Sequence, residues 1–174
     1  MENKQSTDTI MMIRPVQFRF NEQTAVNNYY QKSIAGLSAS DIQLKAAQEF
    51  DDFVKKLRSK KINVIVVEDT PEPSTPDSIF PNNWVSFHED GKVGLYPMYA
   101  ENRRLERRPD ILEKLQTKEG RKISEIIDFS KHEEDNRFLE GTGSMILDRP
   151  NKIVYIAISL RTDETVLDEF CNKF

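Results

Sequence analysis

Two stretches about sixty residues apart follow the same order of elements, and that repetition constrains this 174-residue chain more than any other feature. Gly91-Lys92-Val93 falls on Asn151-Lys152-Ile153, and Tyr96 falls on Ile156. Each copy reads as a strand, a polar loop, a β-hairpin and a helix. Identity is low, so the order of elements carries the comparison more than the letters do. A plain α+β domain with two similar hairpins is the alternative reading.

The remaining elements follow from periodicity and turn chemistry. Thr9–Pro15 is an apolar run and Val16–Asn21 alternates with period two, so both read as strand or extended chain. From Ser40, an N-cap candidate, Ile42, Leu44, Ala47, Phe50, Phe53, Val54 and Leu57 recur at helical intervals up to the basic stretch Lys55–Lys61. Ile62–Val67 is a short β-branched strand. It leads into Glu68–Pro76, where three prolines forbid regular structure. Trp84–His88 and Val93–Met98 flank a hairpin turn at Glu89–Lys92. A helix over Arg107–Thr117 closes at Gly120, and Ile123–Phe129 is a further strand. The charged stretch Ser130–Arg137 reads as a solvated loop. Ser144–Leu147 and Lys152–Ser159 flank a turn at Asp148–Asn151, and Thr162 caps a last helix from about Asp163. That helix is still apolar on one face at Phe174, so the chain reads as cut within it. A naturally C-terminal docking helix is the alternative.

Composition removes several function classes. The formal net charge is −4 and the 31% charged residues are mixed in sign, so nothing favours nucleic acid or an anionic membrane. Arg103–Arg108 is the sole basic cluster. No apolar run approaches the roughly 18 residues that span a bilayer, and the polar Met1–Asp8 lacks the apolar segment of a secretory signal. A cytoplasmic protein of one domain over 1–174, with no membrane partner, is the expectation. One cysteine, Cys171, allows no internal disulfide and no cysteine cage. His88 and His132 share no metal-binding spacing, so neither a metal nor a cofactor is expected.

Two loops carry the polar chemistry. Thr75–Val85 packs turn formers and polar side chains between two β-like runs, and Phe138–Leu147 holds Glu140 beside Gly141-Thr142-Gly143. From the residues alone, Glu140 is a surface or hairpin glutamate and Asp77 is a good turn residue after proline. Arg104 and Arg161 sit just after the returning strand of each repeat. They read either as exposed helix-end arginines or as forks for a carboxylate. Cys171, beside Leu167, Phe170 and Phe174, reads as a small buried thiol.

Taken in order, Pro76–Asn83, Arg103–Glu106, Leu139–Gly143 and Ser159–Thr162 resemble the amidinotransferase or guanidine-modifying superfamily. The best match is its citrulline-utilisation hydrolase branch, with dimethylarginine dimethylaminohydrolase and arginine deiminase as more distant relatives. The resemblance runs from about Met11 to Phe174. It implies an α/β propeller, the pentein fold, of five ββαβ blades around a polar channel. This chain would supply about three of them, as the N-terminal portion of one catalytic domain.

The resemblance also implies a mechanism. A cysteine attacks the carbon of a guanidinium or ureido group, a histidine serves as acid and base, and an acidic residue orients it. Glu140 takes the acidic role, Arg104 and Arg161 bind the substrate carboxylate, and Asp77 meets the α-amine. Relatives that bind a cationic guanidinium carry a charged pair where this chain has Asn82-Asn83. Two amides suit a neutral ureido group, as in citrulline. The family's cysteine and histidine fall outside this sequence, so the chain alone is expected to be inactive. Exposed blade edges would favour self-association. A non-catalytic amino-acid-binding or interaction protein of the same fold is the alternative.

Overall fold

A computed structural model describes residues 5–26, 28, 30–32 and 36–174. They divide into two compact units, Ser6–Pro81 and Asn82–Phe174, with Gln5 belonging to the second. The polar start at 1–4 lies outside the described residues.

In the first unit, β1 (Thr9–Arg14) and β2 (Asn63–Glu68) pair in parallel with Ile10 opposite Val64 and Arg14 opposite Glu68. A parallel pair needs a long crossover. Here it contains α1 (Glu22–Ala25) and the 21-residue α2 (Ala39–Ser59). The helix begins one turn position earlier than Ser40 suggests. Ser38 is the N-cap, and its hydroxyl and the Asp41 carboxylate close a reciprocal capping box. The apolar stripe of α2 places Phe50 and Val54 against Val64, with Ile10, Met12, Leu57 and Val66 around them. Arg14 fixes the helix to the sheet through a bidentate pair with Asp51 at 2.8 and 2.9 Å.

Val16–Asn21 forms no strand, contrary to its alternation. Its backbone is met by a helix side chain instead. Phe18 N–H donates to Gln43 Oε1 at 2.5 Å, and Gln43 Nε2 donates to the Pro15 carbonyl at 2.7 Å. A sheet partner is thereby replaced, which satisfies the same polar groups without a ladder.

The second unit holds the repeat. β3 (Val85–Phe87) and β4 (Lys92–Leu95) form an antiparallel hairpin. After α3 (Glu101–Arg104) and α4 (Pro109–Thr117), β5 (Glu125–Asp128) returns parallel to β4. The second copy opens with α5 (Gly141–Ser144), then pairs β6 (Met145–Asp148) antiparallel with β7 (Ile153–Ile156), and ends with α6 (Glu164–Lys173). Val85 lies opposite Leu95 and Met145 opposite Ile156, so the two hairpins repeat almost in register. Gly91 turns the first at φ +86, a conformation that side-chain-bearing residues avoid. Among the described residues the strands make three separate sheets, one of three strands and two of two. Tyr96, Phe129, Leu139, Met145, Val166 and Phe170 form the core between the second hairpin and α6.

Four local expectations are corrected here. The last helix is capped by Asp163, not Thr162, because the Asp163 carboxylate accepts from the Thr165 and Val166 amides. Ser130–Arg137 is not a solvated loop: Ser130–Asp135 is a 3-10 turn that buries His132, whose ring bonds Glu169 of α6 at 2.7 Å. Cys171 is exposed. The buried stripe of α6 centres on Val166 and Phe170, and Cys171 stands one position, about 100°, past it. The basic cluster is spent on carboxylates: Arg103 on Glu106, Arg107 on Glu133 and Arg108 on Asp110.

Candidate functional site

The second unit gathers its polar residues around Glu140. This residue stands at the N-cap of α5, yet its carboxylate makes no cap bond and is 1% exposed. Burying a carboxylate is costly unless donors meet it. Three do. Tyr99 N–H donates to Oε1 at 3.0 Å, while Asn83 Nδ2 and Arg161 Nη1 each approach Oε2 at 3.3 Å. A carboxylate only accepts, so Asn83 must present its NH₂ rather than its oxygen.

Two glycines allow that cage to close. A Cβ on Gly141 would collide with the Asn82 carbonyl oxygen, and one on Gly143 would come within 2.5 Å of Asn83 Nδ2 and 3.2 Å of Glu140 Oε2. The Asn82-Asn83 turn therefore lies directly on the Gly141–Gly143 backbone. Asn82 Nδ2 donates to Asn83 Oδ1 at 3.2 Å and also to Thr142 Oγ1. Asn82 itself remains exposed, whereas Asn83 is buried.

Arg161 is partly exposed and reaches Glu140 with one nitrogen, which leaves other N–H donors of its fork for a further acceptor. Arg104 lies on the opposite side of the Met98–Tyr99 segment. Its Nε donates to the Met98 carbonyl at 3.0 Å and Nη2 to the Tyr99 carbonyl at 3.4 Å. Its guanidinium also sits 5.7 Å from the Phe138 ring centre and 3.6 Å from Glu133. Tyr99 thus accepts from Arg104 with its carbonyl and donates to Glu140 with its amide.

Of the six residues singled out in the sequence, Glu140, Asn82, Asn83 and Arg161 meet in one cluster, and Arg104 joins it through Tyr99. Asp77 belongs to the first unit. It is buried there and accepts from Asn21 Nδ2 at 2.8 Å and Thr24 Oγ1 at 3.0 Å. Sequence reading missed Tyr99, which acts through its backbone and so leaves no signature. It also missed Ser144, whose hydroxyl accepts from the Glu140 amide at 3.0 Å. The Gly-x-Gly after Glu140 was the one available signal of close backbone approach.

Neither histidine meets Glu140. His88 Nε2 bonds Ser86 Oγ at 2.8 Å, its Nδ1 faces Arg149 Nη1 at 3.1 Å, and its ring stacks on Phe174 at 4.0 Å. Arginine can only donate, so Nδ1 accepts and the ring is neutral. Burial first, then the Arg149 charge, holds its pKa down to about 4. The His132 hydrogen bond holds the Glu169 carboxyl below its ordinary range. Partial desolvation and the neighbouring Asp168 charge push the Cys171 thiol up, the opposite of an activated nucleophile. Among the described residues no group of three His, Cys, Asp or Glu side chains could hold a metal, and no helix is long and apolar enough to cross a membrane.

An α/β architecture of repeated hairpins, with a caged carboxylate at the mouth of one of them, has counterparts among solved structures of guanidino-amino-acid hydrolases. The dimethylarginine dimethylaminohydrolase of Pseudomonas aeruginosa, complexed with citrulline, superposes with a TM-score of 0.59 at 17% identity, over 95% of this chain and 56% of that one. The N-terminal domain of the cyanobacterial arginine dihydrolase ArgZ, bound to substrate, gives 0.62 at 16%, over 94% of this chain and 55% of that one. Full-length ArgZ gives 0.58 at 18%, and there the match covers 89% of this chain but only 21% of the other. At these identities the likeness is one of fold, and this chain spans little more than half the length of the shorter relatives. No curated protein sequence matches it significantly. The family model for eukaryotic N,N-dimethylarginine dimethylhydrolase matches residues 14–174, and the chain belongs to that family, within the wider superfamily of dimethylarginine and arginine hydrolases.

Proposed function

We propose that this chain is the substrate-recognising N-terminal portion of a hydrolase that cleaves a C–N bond of a ureido or guanidino amino acid. The observation that carries the reading is the buried Glu140 carboxylate, held by Tyr99, Asn83 and Arg161 beside an exposed Asn82. Buried carboxylates are retained at a cost, and a cleft-side one with an arginine partner is a candidate for acid–base work.

In this reading Glu140 orients a histidine that lies outside 1–174, and a cysteine from the same region attacks the ureido or guanidinium carbon. The tetrahedral adduct expels ammonia or an amine, which takes its proton from the histidine, and water then releases the enzyme-bound carbon. Arg161 and Arg104 take the α-carboxylate and Asp77 the α-amine. The Asn82-Asn83 pair favours a neutral ureido group, so citrulline is preferred over arginine, in keeping with the citrulline-utilisation branch. The fold is then an incomplete pentein propeller of about three ββαβ blades, forming one domain over 1–174. The outward residues Ile146, Ile153 and Tyr155 of β6 and β7 are exposed, which suits association with further chain or with another copy. A cytoplasmic location accords with this activity.

The engagement of His88 by Arg149 and of His132 by Glu169 favours a second reading, a binding protein that senses a ureido amino acid without hydrolysing it. Calorimetry with citrulline, paired with an ammonia assay, separates the two. Binding without ammonia release is expected of the chain alone. A histidine motif and a C-terminal cysteine in the coding sequence beyond Phe174 would favour the hydrolase, and a stop codon there would favour the binding protein.

A further inference from the structure

Ser144 is 4% exposed, and its hydroxyl bridges two residues of the Glu140 cluster. Ser144 Oγ accepts from the Glu140 amide at 3.0 Å and donates to the Arg161 carbonyl at 2.5 Å. Its own amide donates to the Glu140 carbonyl at 2.7 Å, and its carbonyl accepts from Ala157 N–H at 3.2 Å. Without the hydroxyl, the backbones of Glu140 and Arg161 would be joined directly by one bond of 3.3 Å. Their side chains meet at 3.3 Å as well, although 21 positions separate them in sequence. A hydroxyl has one proton to give and lone pairs to receive, so a single buried oxygen serves both backbones at once. Alanine serves neither.

The geometry points to Ser144 as a positioning residue that sets the aim of Arg161 relative to the Glu140 carboxylate. Arg161 is held at the base of its chain by this bond and at its tip by Glu140. Its remaining donors are thereby oriented rather than free to sweep through solvent. For the ligand the consequence rests on the proposed reading of this site: Ser144 governs how well the pocket distinguishes an amino acid from the same ureido chain without its carboxylate. A merely structural serine at the entrance to β6 would alter stability and leave that distinction untouched.

The test compares the wild-type chain with S144A, S144T and S144C. Nitrogen-detected NMR of the arginine guanidinium groups needs no ligand. The Arg161 signals are expected to stand apart from those of exposed arginines in wild type and S144T, and to merge with them in S144A and S144C. Calorimetry with citrulline and with butylurea, which lacks the α-carboxylate, supplies the second readout. S144A is expected to lose about tenfold in affinity for citrulline, the equivalent of one hydrogen bond to a charged group, with butylurea unchanged. S144T should restore it. Should S144A unfold, S144C decides, because a thiol fills the site but donates weakly. Unchanged Arg161 signals in S144A, or equal losses for both ligands, overturn the assignment. A wild-type chain that binds neither ligand overturns the reading of the pocket, while the NMR comparison still judges Ser144.

Discussion

Asn83 turns its amide nitrogen towards Glu140 Oε2 at 3.3 Å, so a neutral side chain, not a second acid, faces the buried carboxylate. Substituting N83D would place two carboxylates side by side, and one of them would have to take up a proton or a cation. We expect the ligand-free variant to lose roughly 1–3 kcal/mol at neutral pH, the cost of leaving a buried charged acceptor short of a donor. Arginine, which carries a positive guanidinium, should bind it better than wild type, and citrulline worse. Calorimetry with both amino acids checks this, and no gain for arginine counts against the ureido preference.

The glycines beside Glu140 should tolerate no side chain. In G141A the new methyl meets the Asn82 carbonyl oxygen, which is backbone and has little room to yield. Overpacking of this kind costs about 1–3 kcal/mol, read as a lower denaturation midpoint. G143A meets a side-chain amide nitrogen instead. It should destabilise less, and should disturb Asn83 in preference to the backbone.

Replacing Glu140 by glutamine keeps the shape and removes the charge. Arg161 loses its anionic partner, and one end of the new amide points donors at donors. A loss of about 1.5–3 kcal/mol in unfolding free energy is expected, as for hydrogen bonds to charged groups. The partial exposure of Arg161 places the result near the lower end. A stability equal to wild type would mean that Glu140 is not ionised in the folded chain.

His88 makes stability depend on pH. Its folded pKa of about 4 lies below the ordinary 6.5, through burial and then the Arg149 charge, with Lys92 adding to and Asp90 opposing the effect. The unfolded chain therefore takes up this proton first. The contribution of the neutral ring is whole above about pH 6.5, declines as pH falls towards 4, and is constant below that. H88Q should remove this slope, so the wild-type and variant denaturation curves diverge with pH only between those limits.

Much of this was legible from the letters, because it is written in periodicity. The apolar stripe of α2, the β-branched run of β2 and the turn glycine at Gly91 fix their elements locally. The repeat was legible for the same reason, since each hairpin carries its own turn signal. What stayed hidden depends on distant partners. Val16–Asn21 alternates like a strand, but Gln43 takes its backbone bonds. Ser130–Arg137 looks solvated because six of its eight residues are charged or polar in sequence, yet packing against Glu169 buries His132. In the site, the side chains Glu140, Asn83 and Arg161 could be nominated by type. The Tyr99 amide and the Ser144 hydroxyl could not, since any residue supplies the first and serines are common wherever chains turn.

The most direct test of the central claim is backbone NMR of the 174-residue chain titrated with citrulline. A ureido amino acid at this site should move the amides of Asn83, Tyr99, Glu140 and Arg161 together, along one saturable curve, with arginine giving smaller shifts at equal concentration. Citrulline shifts confined to other residues, or larger and tighter shifts with arginine, would contradict the account.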